Sequence, residues 1–167
     1  FWLVDPIDGT TNFMHGYPQF AVSIACIHKN KIVIAITYDP NTHELFTAIR
    51  GSGAYLNNKR IRVSQTRLIS RTLIGTGFPF RNPERLDTYT HMFKEVIRKT
   101  SGVRRAGAAS LDLAYVACGR LDGFWEQGLK IWDMAAGTLL IEEAGGFVSD
   151  FNNQSDFLEN QQLIAGN

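Results

Sequence analysis

Cysteine is scarce. Cys26 and Cys118 are the only two in 167 residues and share no Cys-x-x-Cys spacing. They read as buried free thiols of a reducing compartment, with a disulfide between them as the alternative. The four histidines, His15, His28, His43 and His91, lack ligand-like spacing, so no zinc site is expected. Charge of one sign is also missing: the net charge is +1, which leaves no global field for nucleic acid or a membrane surface. No apolar run approaches a membrane span and no basic segment leads into one, so the expected location is the cytoplasm. There is no Gly-x-x-x-x-Gly-Lys segment, which excludes a P-loop kinase or ATPase. Ser64 and Ser110 lack a Gly-x-Ser-x-Gly elbow, which disfavours a serine hydrolase. Repeats, low-complexity tracts and linker-like stretches are absent as well.

What is present is ordinary for a globular chain, with 44% apolar and 20% charged residues and length enough for one well-buried domain. Residues 1–66 read mainly as antiparallel sheet. Phe1–Val4 is strand-like, and Phe20–Ile27 and Lys31–Tyr38 flank the hairpin loop His28–Asn30. Asp39–Thr42 turns into Glu44–Ile49. Gly51–Gly53 breaks the chain before Ala54–Leu56, and Asn57–Asn58 leads to Arg60–Val63. Residues 67–167 alternate helix and strand. Helices are expected over Glu84–Lys99 behind Pro83, over Ser110–Cys118 before Gly119, and from an N-cap at Asp133 to Ala144. Strands are expected at Leu121–Glu126, Phe147–Ser149 and Gln162–Asn167. This is an α+β pattern in one domain or two tightly packed subdomains. Both ends look cut through a fold, since a buried strand rarely opens or closes a chain.

Two segments stand out chemically. Asp5-Pro6-Ile7-Asp8-Gly9-Thr10 places two carboxylates three residues apart, then a glycine and threonines that open a short helix. Pro6 pushes Asp5 toward extended backbone so that both carboxylates can converge, and Gly9 admits close approach of a ligand. Trp132-Asp133-Met134-Ala135-Ala136-Gly137 adds a third carboxylate at the head of a helix, 125 residues after Asp8. Hard oxygen donors at one point suit magnesium and, through it, phosphate. Taken singly, each segment also fits a plain turn or helix cap. Lys59, Arg60, Arg62, Arg67 and Arg71 form a basic stretch that reads as a solvated edge, with RNA or an acidic partner as the minor alternative.

The two segments, in this order, resemble the magnesium-dependent inositol monophosphatase family, nearest its bacterial SuhB-type branch. The resemblance implies a layered αβαβα sugar-phosphatase fold, incomplete here at the N-terminus. It also implies hydrolysis of a small phosphate monoester, inositol 1-phosphate or a related polyol phosphate. Fructose bisphosphate, histidinol phosphate and adenosine bisphosphate are the alternative substrates. Magnesium is the implied cofactor, held by Asp5, the Ile7 carbonyl, Asp8 and Asp133, and inhibition by lithium goes with it. Gly9 and Thr10 match the phosphate-binding backbone, the Thr10 hydroxyl orients water, and Asp133 also meets a substrate hydroxyl. Ala106-Gly107-Ala108-Ala109-Ser110 matches a small-residue loop against the sugar or cyclitol ring, with Gly107, Ala108 and Ala109 as its substrate-facing residues, and Glu126 matches a ligand for a substrate hydroxyl. Arg104 and Arg105 resemble an Arg-Arg pair in which the first faces substrate and the second a subunit interface; a solvated charge pair is the alternative. Lys130 agrees with the bacterial members rather than the animal ones. A homodimer is implied, and a regulatory module binding the transcription machinery is the competing function. A metal-binding glutamate of a Gly-Glu-Glu-like motif is expected upstream of Asp5 and a closing helix downstream of Asn167. A protein of only these 167 residues is therefore expected to be poorly soluble and inactive.

Overall fold

The computed structural model describes residues 1–80 and 83–167. Long alternation of small and β-branched residues makes the first sheet. It is an antiparallel meander of six strands in chain order: β1 (Trp2–Asp8), β2 (Ala21–His28), β3 (Lys31–Asp39), β4 (Glu44–Ile49), β5 (Gly53–Leu56) and β6 (Lys59–Arg60). A five-residue helix, α1 (Thr10–Met14), sits between β1 and β2. The second sheet has the order β10-β11-β9-β7-β8, from β7 (Leu73–Thr76), β8 (Gly102–Arg104), β9 (Gly123–Gln127), β10 (Phe147–Ser149) and β11 (Gln162–Gly166). Here β7 runs parallel to β8 and β9, while β11 is antiparallel to both its neighbours.

Helices α3 (Ala109–Ala117) and α4 (Ile131–Glu143) lie between the two sheets. Neither has a polar face over its middle turns: Leu111, Leu113, Ala114, Ala135, Ala136, Leu139 and Leu140 are all fully buried. A helix apolar all round is one covered on both sides. Gly137 lets the two helices meet, since a Cβ there would collide with the Leu113 side chain. Phe124 of β9 points into this core, and its neighbour Trp125 points to the opposite face. On that face Tyr89 of α2 (Leu86–Lys99) stacks on Trp125 at 6.2 Å between ring centres. The layers are thus sheet, helix pair, sheet, helix, an α+β architecture. A last short helix, α5 (Phe157–Asn160), precedes β11.

Several expectations are corrected. The Asp5–Asp8 segment is not a turn but the end of β1. Asp133 is not the N-cap of α4: the cap is Lys130, and Asp133 lies three residues in. Helix α2 begins at Leu86, after a 3-10 turn over Pro83–Arg85. Of the expected last meander strand, Arg60–Val63, only Arg60 pairs with β5, and Lys59 before it pairs as well. The chain then leaves the sheet so that Ile61 and Val63 can pack on the core. Strands β7 and β8 and helix α5 were not foreseen. The two thiols are free, as expected, but half-buried rather than buried.

Candidate active site

The site begins with a fault in a strand. β1 pairs with β2 through Asp5 opposite Ser23 and Asp8 opposite Ala21, so three steps on one strand match two on the other. In a regular strand residues three apart face opposite sides. The extra residue, a β-bulge at Pro6-Ile7, turns Asp8 onto the side that Asp5 can reach. Asp5 Oδ1 fixes the bulge by accepting the Ile7 N–H at 3.0 Å. Proline fits because a bulge leaves one residue outside the ladder.

Helix α4 brings the third carboxylate. Asp133 Oδ2 accepts the Lys130 N–H at 2.7 Å, and its own N–H donates to the Lys130 carbonyl at 3.0 Å. This holds the carboxylate at the helix entrance and aims its other oxygen at β1. Asp5, Asp8 and Asp133 each offer an oxygen within 4.8 Å of the other two, and this is the only such acidic, histidine or cysteine cluster among the described residues. Asp8 is locked further by Ser110, whose N–H and hydroxyl both donate to Oδ2, at 2.7 and 2.6 Å.

Charge is concentrated here without a cation to balance it. Burial pushes the Asp133 carboxyl up to about 7, the Lys130 N–H lowers it, and Asp8 and Asp5 raise it further. Burial likewise raises Asp8, against its two bonds from Ser110. Among the described residues none of the three carboxylates forms an ion pair. An all-oxygen, acidic donor set with no internal counter-charge fits a hard divalent cation.

Around the carboxylates lies a cleft of about 200 Å³. Gly9 has φ +82°, and a Cβ there would lie 2.8 Å from the Gln19 carbonyl oxygen, so no side chain fits. Asn12 ties α1 to the opposite loop through Nδ2 bonds to the carbonyls of Gln19 (2.7 Å) and Ala106 (2.9 Å). The Thr10 hydroxyl donates to the Ile7 carbonyl at 2.8 Å. Gly107 and Ala109 line the cleft as expected of a small-residue loop. Ala108 does not: it is fully buried against Ala21 and Leu111. Glu126, at the end of β9, lines the cleft on the far side, where Gly77 leaves room for its carboxylate. Burial pushes Glu126 up to about 8, and Arg105 pulls it back.

Arg104 is corrected by the structure. It is exposed and turns back onto the Val103 carbonyl at 3.0 Å, away from the cleft, while Arg105 lines it. Alternation along an extended segment puts one of two adjacent arginines on each side, and the pair alone does not say which.

Two contributors were not read from the sequence, the Gly77–Phe80 segment and Asp112, and Ser110 was read only as the end of the small-residue loop, not as the partner of Asp8. Asp112 had a visible signal, since a carboxylate within the apolar stretch Ser110–Cys118 is buried only for a reason. It lines the cleft, and burial together with Asp8 pushes it up to about 8.

Ser110→Ala leaves Asp8 Oδ2 without its hydroxyl donor but keeps the backbone one. Loss of such a supporting bond lowers divalent-ion affinity about 10- to 100-fold, read by calorimetric titration with Mg²⁺.

The family model of the inositol monophosphatase family matches residues 1–167. The chain is 57% identical over 168 residues to the Nus factor SuhB of Pseudomonas aeruginosa, covering 99% of this chain and 62% of that protein. It is 51% identical over 166 residues to the inositol-1-monophosphatase of Mesorhizobium japonicum, again 99% of this chain and 62% of that one. The crystal structure of the extragenic suppressor protein SuhB from Bartonella henselae superposes with a TM-score of 0.96 at 52% identity, over 99% of this chain and 64% of the other. The chain thus spans just over three-fifths of the length of these relatives.

Proposed function

The chain belongs to the inositol monophosphatase family, and from that premise we propose that the whole protein is a magnesium-dependent phosphatase acting on a small phosphate monoester, most of all inositol 1-phosphate or a related polyol phosphate. The observation that carries this is the β-bulge that gathers Asp5 and Asp8 with Asp133 beside a cleft of small-molecule size.

Asp5, Asp8, Asp133 and the Ile7 carbonyl would hold the magnesium. The ion, when bound, supplies positive charge that neutralises phosphate oxygens and makes a nearby water more acidic. The rest is work for the chain's own groups. The backbone at Gly9 and Thr10 holds the phosphate, close because no side chain intervenes. The Thr10 hydroxyl, already donating to Ile7, keeps its lone pairs free to orient the attacking water. Gly107 and Ala109 leave space for the ring of the alcohol, and Glu126 accepts from one of its hydroxyls. Lithium inhibits by competing for the oxygen site.

Phosphate release by the whole protein from inositol 1-phosphate, with fructose bisphosphate, histidinol phosphate and adenosine bisphosphate beside it, tests this reading. Turnover requires Mg²⁺ and stops with chelator. Release that survives exhaustive chelation overturns it.

A second reading rests on the relatives named Nus factor SuhB, at 57% and 49% identity: the same surface serves as a regulatory module for the transcription machinery. Retention of transcription factors in a pull-down by an Asp133→Asn variant supports that role independently of catalysis. In either reading the protein is a homodimer of the cytoplasm. Among the described residues no helix is long and apolar enough to cross a membrane.

A further inference from the structure

The bonds that orient Asp133 do not by themselves fix where it stands. Its Oδ2 and its N–H both bond to Lys130, which belongs to the same helix entrance and moves with it. Asp5 and Asp8 stand on β1, in the first sheet. A cation shared by the three needs the head of α4 fixed against that sheet. The Ser23 hydroxyl, on β2, supplies such a link by donating to the Trp132 carbonyl at 3.1 Å.

Three observations set this bond apart from a routine buried contact. First, the Trp132 carbonyl and the Asp133 N–H are the two ends of one peptide group, which is planar and stiff. The N–H end is tied to the Lys130 carbonyl at 3.0 Å and the other end to Ser23, so the plane that carries the Asp133 Cα is held at both ends. A carbonyl in the first turn of a helix also takes the N–H four residues on, and its second lone pair remains for Ser23. Second, Ser23 lies directly opposite Asp5 in the β1–β2 ladder. Side chains so paired share a face, with Cβ atoms about 5 Å apart. The link to α4 therefore starts beside one of the carboxylates.

Third, packing does not call for a hydroxyl here. Ser23 is 1% exposed and its same-face neighbours on β2 are Ala21 and Ala25. A buried hydroxyl is unfavourable unless it is bonded. Thr37, opposite Ser23 on β3, gives the contrast: it is as buried, and its hydroxyl has no partner among the described residues.

We propose that Ser23 is a positioning residue. By pinning the peptide group ahead of Asp133 to the strand beside Asp5, it sets the separation of these two carboxylates and with it the affinity of the site for a divalent cation. This rests on the metal-dependent phosphatase reading of the site.

Calorimetric titration of Mg²⁺ into the whole protein, S23A and T37V tests the proposal, with each variant held well below its melting temperature. S23A binds Mg²⁺ about 10-fold more weakly, the lower end of what the support behind a metal ligand is worth. T37V removes an unpartnered hydroxyl from the same buried face and stays within about twofold of the parent. In phosphate release from inositol 1-phosphate, S23A is about 10-fold slower at limiting Mg²⁺ and returns to within about threefold of the parent when Mg²⁺ saturates, with KM for the ester unchanged. An S23A protein whose Mg²⁺ affinity stays within about twofold of the parent overturns the proposal. So does a T37V protein that is weakened as much as S23A, because any disturbance of the face would then suffice. Should the parent bind no Mg²⁺, the phosphatase reading fails at its metal, and metal-free crystal structures of the parent and S23A decide for Ser23. A shift of the α4 entrance against β1 by more than about 0.5 Å, the tolerance of a functional constellation, supports the positioning role. An entrance that stays in place overturns it.

Discussion

Asp133→Asn lowers kcat/KM of the whole protein for inositol 1-phosphate by about 10³-fold or more and leaves the fold intact. Several kcal/mol of transition-state charge stabilisation would depend on the ion that the proposal places on the three carboxylates, and each 1.4 kcal/mol is about tenfold in rate. The structural role of Asp133 survives the change, because an amide oxygen still accepts the Lys130 N–H that Oδ2 takes at 2.7 Å. The helix start is therefore preserved while the charge is lost. Without added cation the variant also melts higher than the parent at pH 8. There Asp133, with its carboxyl pushed up to about 7, is largely ionised and sits beside Asp5 and Asp8. An Asp133→Asn protein with near-parental turnover would remove the three-carboxylate site from the mechanism.

In chelator, the protein loses stability as the pH rises. Asp133, at about 7, and Glu126 and Asp112, at about 8, all hold their protons more tightly in the folded chain than in the unfolded one, and Asp8 is raised as well. The folded state then binds more protons, so stability is fully present below about pH 4, where the unfolded carboxyls protonate. It declines as the pH climbs through 7 and 8. One raised unit is worth about 1.4 kcal/mol, and several groups contribute, so a fall of several °C in Tm between pH 6 and pH 8.5 is expected. Magnesium reverses the trend, because it binds the ionised carboxylates and stabilises the folded state more at high pH. Thermal melts at the two pH values, with and without Mg²⁺, check this. A chelated protein that is more stable at pH 8.5 than at pH 6 contradicts the description of the cluster as unbalanced charge.

The sequence was most legible where one periodicity ruled. The alternation from Ala21 to Leu56 announces a meander, and the strands lie where alternation and turn residues place them. Short strands in parallel pairing, β7 and the edge strand β8, carry only a few residues each and leave no alternation to see. Asp133 was legible as a ligand type but misplaced in its helix. Its carboxylate reaches back three residues to cap the chain at Lys130, and a side chain at that position looks the same in sequence as a cap itself. The convergence of Asp5 and Asp8 was expected from Pro6. The bulge that produces it depends on pairing with Ser23 and Ala21, which is long-range information. The same holds for Ser110, 102 residues from the carboxylate it locks. Arg105 and Arg104 could be told apart only once Phe78, Phe80 and Gly107 were seen around one guanidinium.

An anomalous-scattering map from crystals of the whole protein soaked in Mn²⁺, a stand-in for Mg²⁺, tests the central claim most directly. The account predicts a peak about 2.2 Å from a carboxylate oxygen of each of Asp5, Asp8 and Asp133, absent from the Asp133→Asn crystals. A fully occupied Mn²⁺ peak elsewhere, with these three carboxylates unligated, would contradict it.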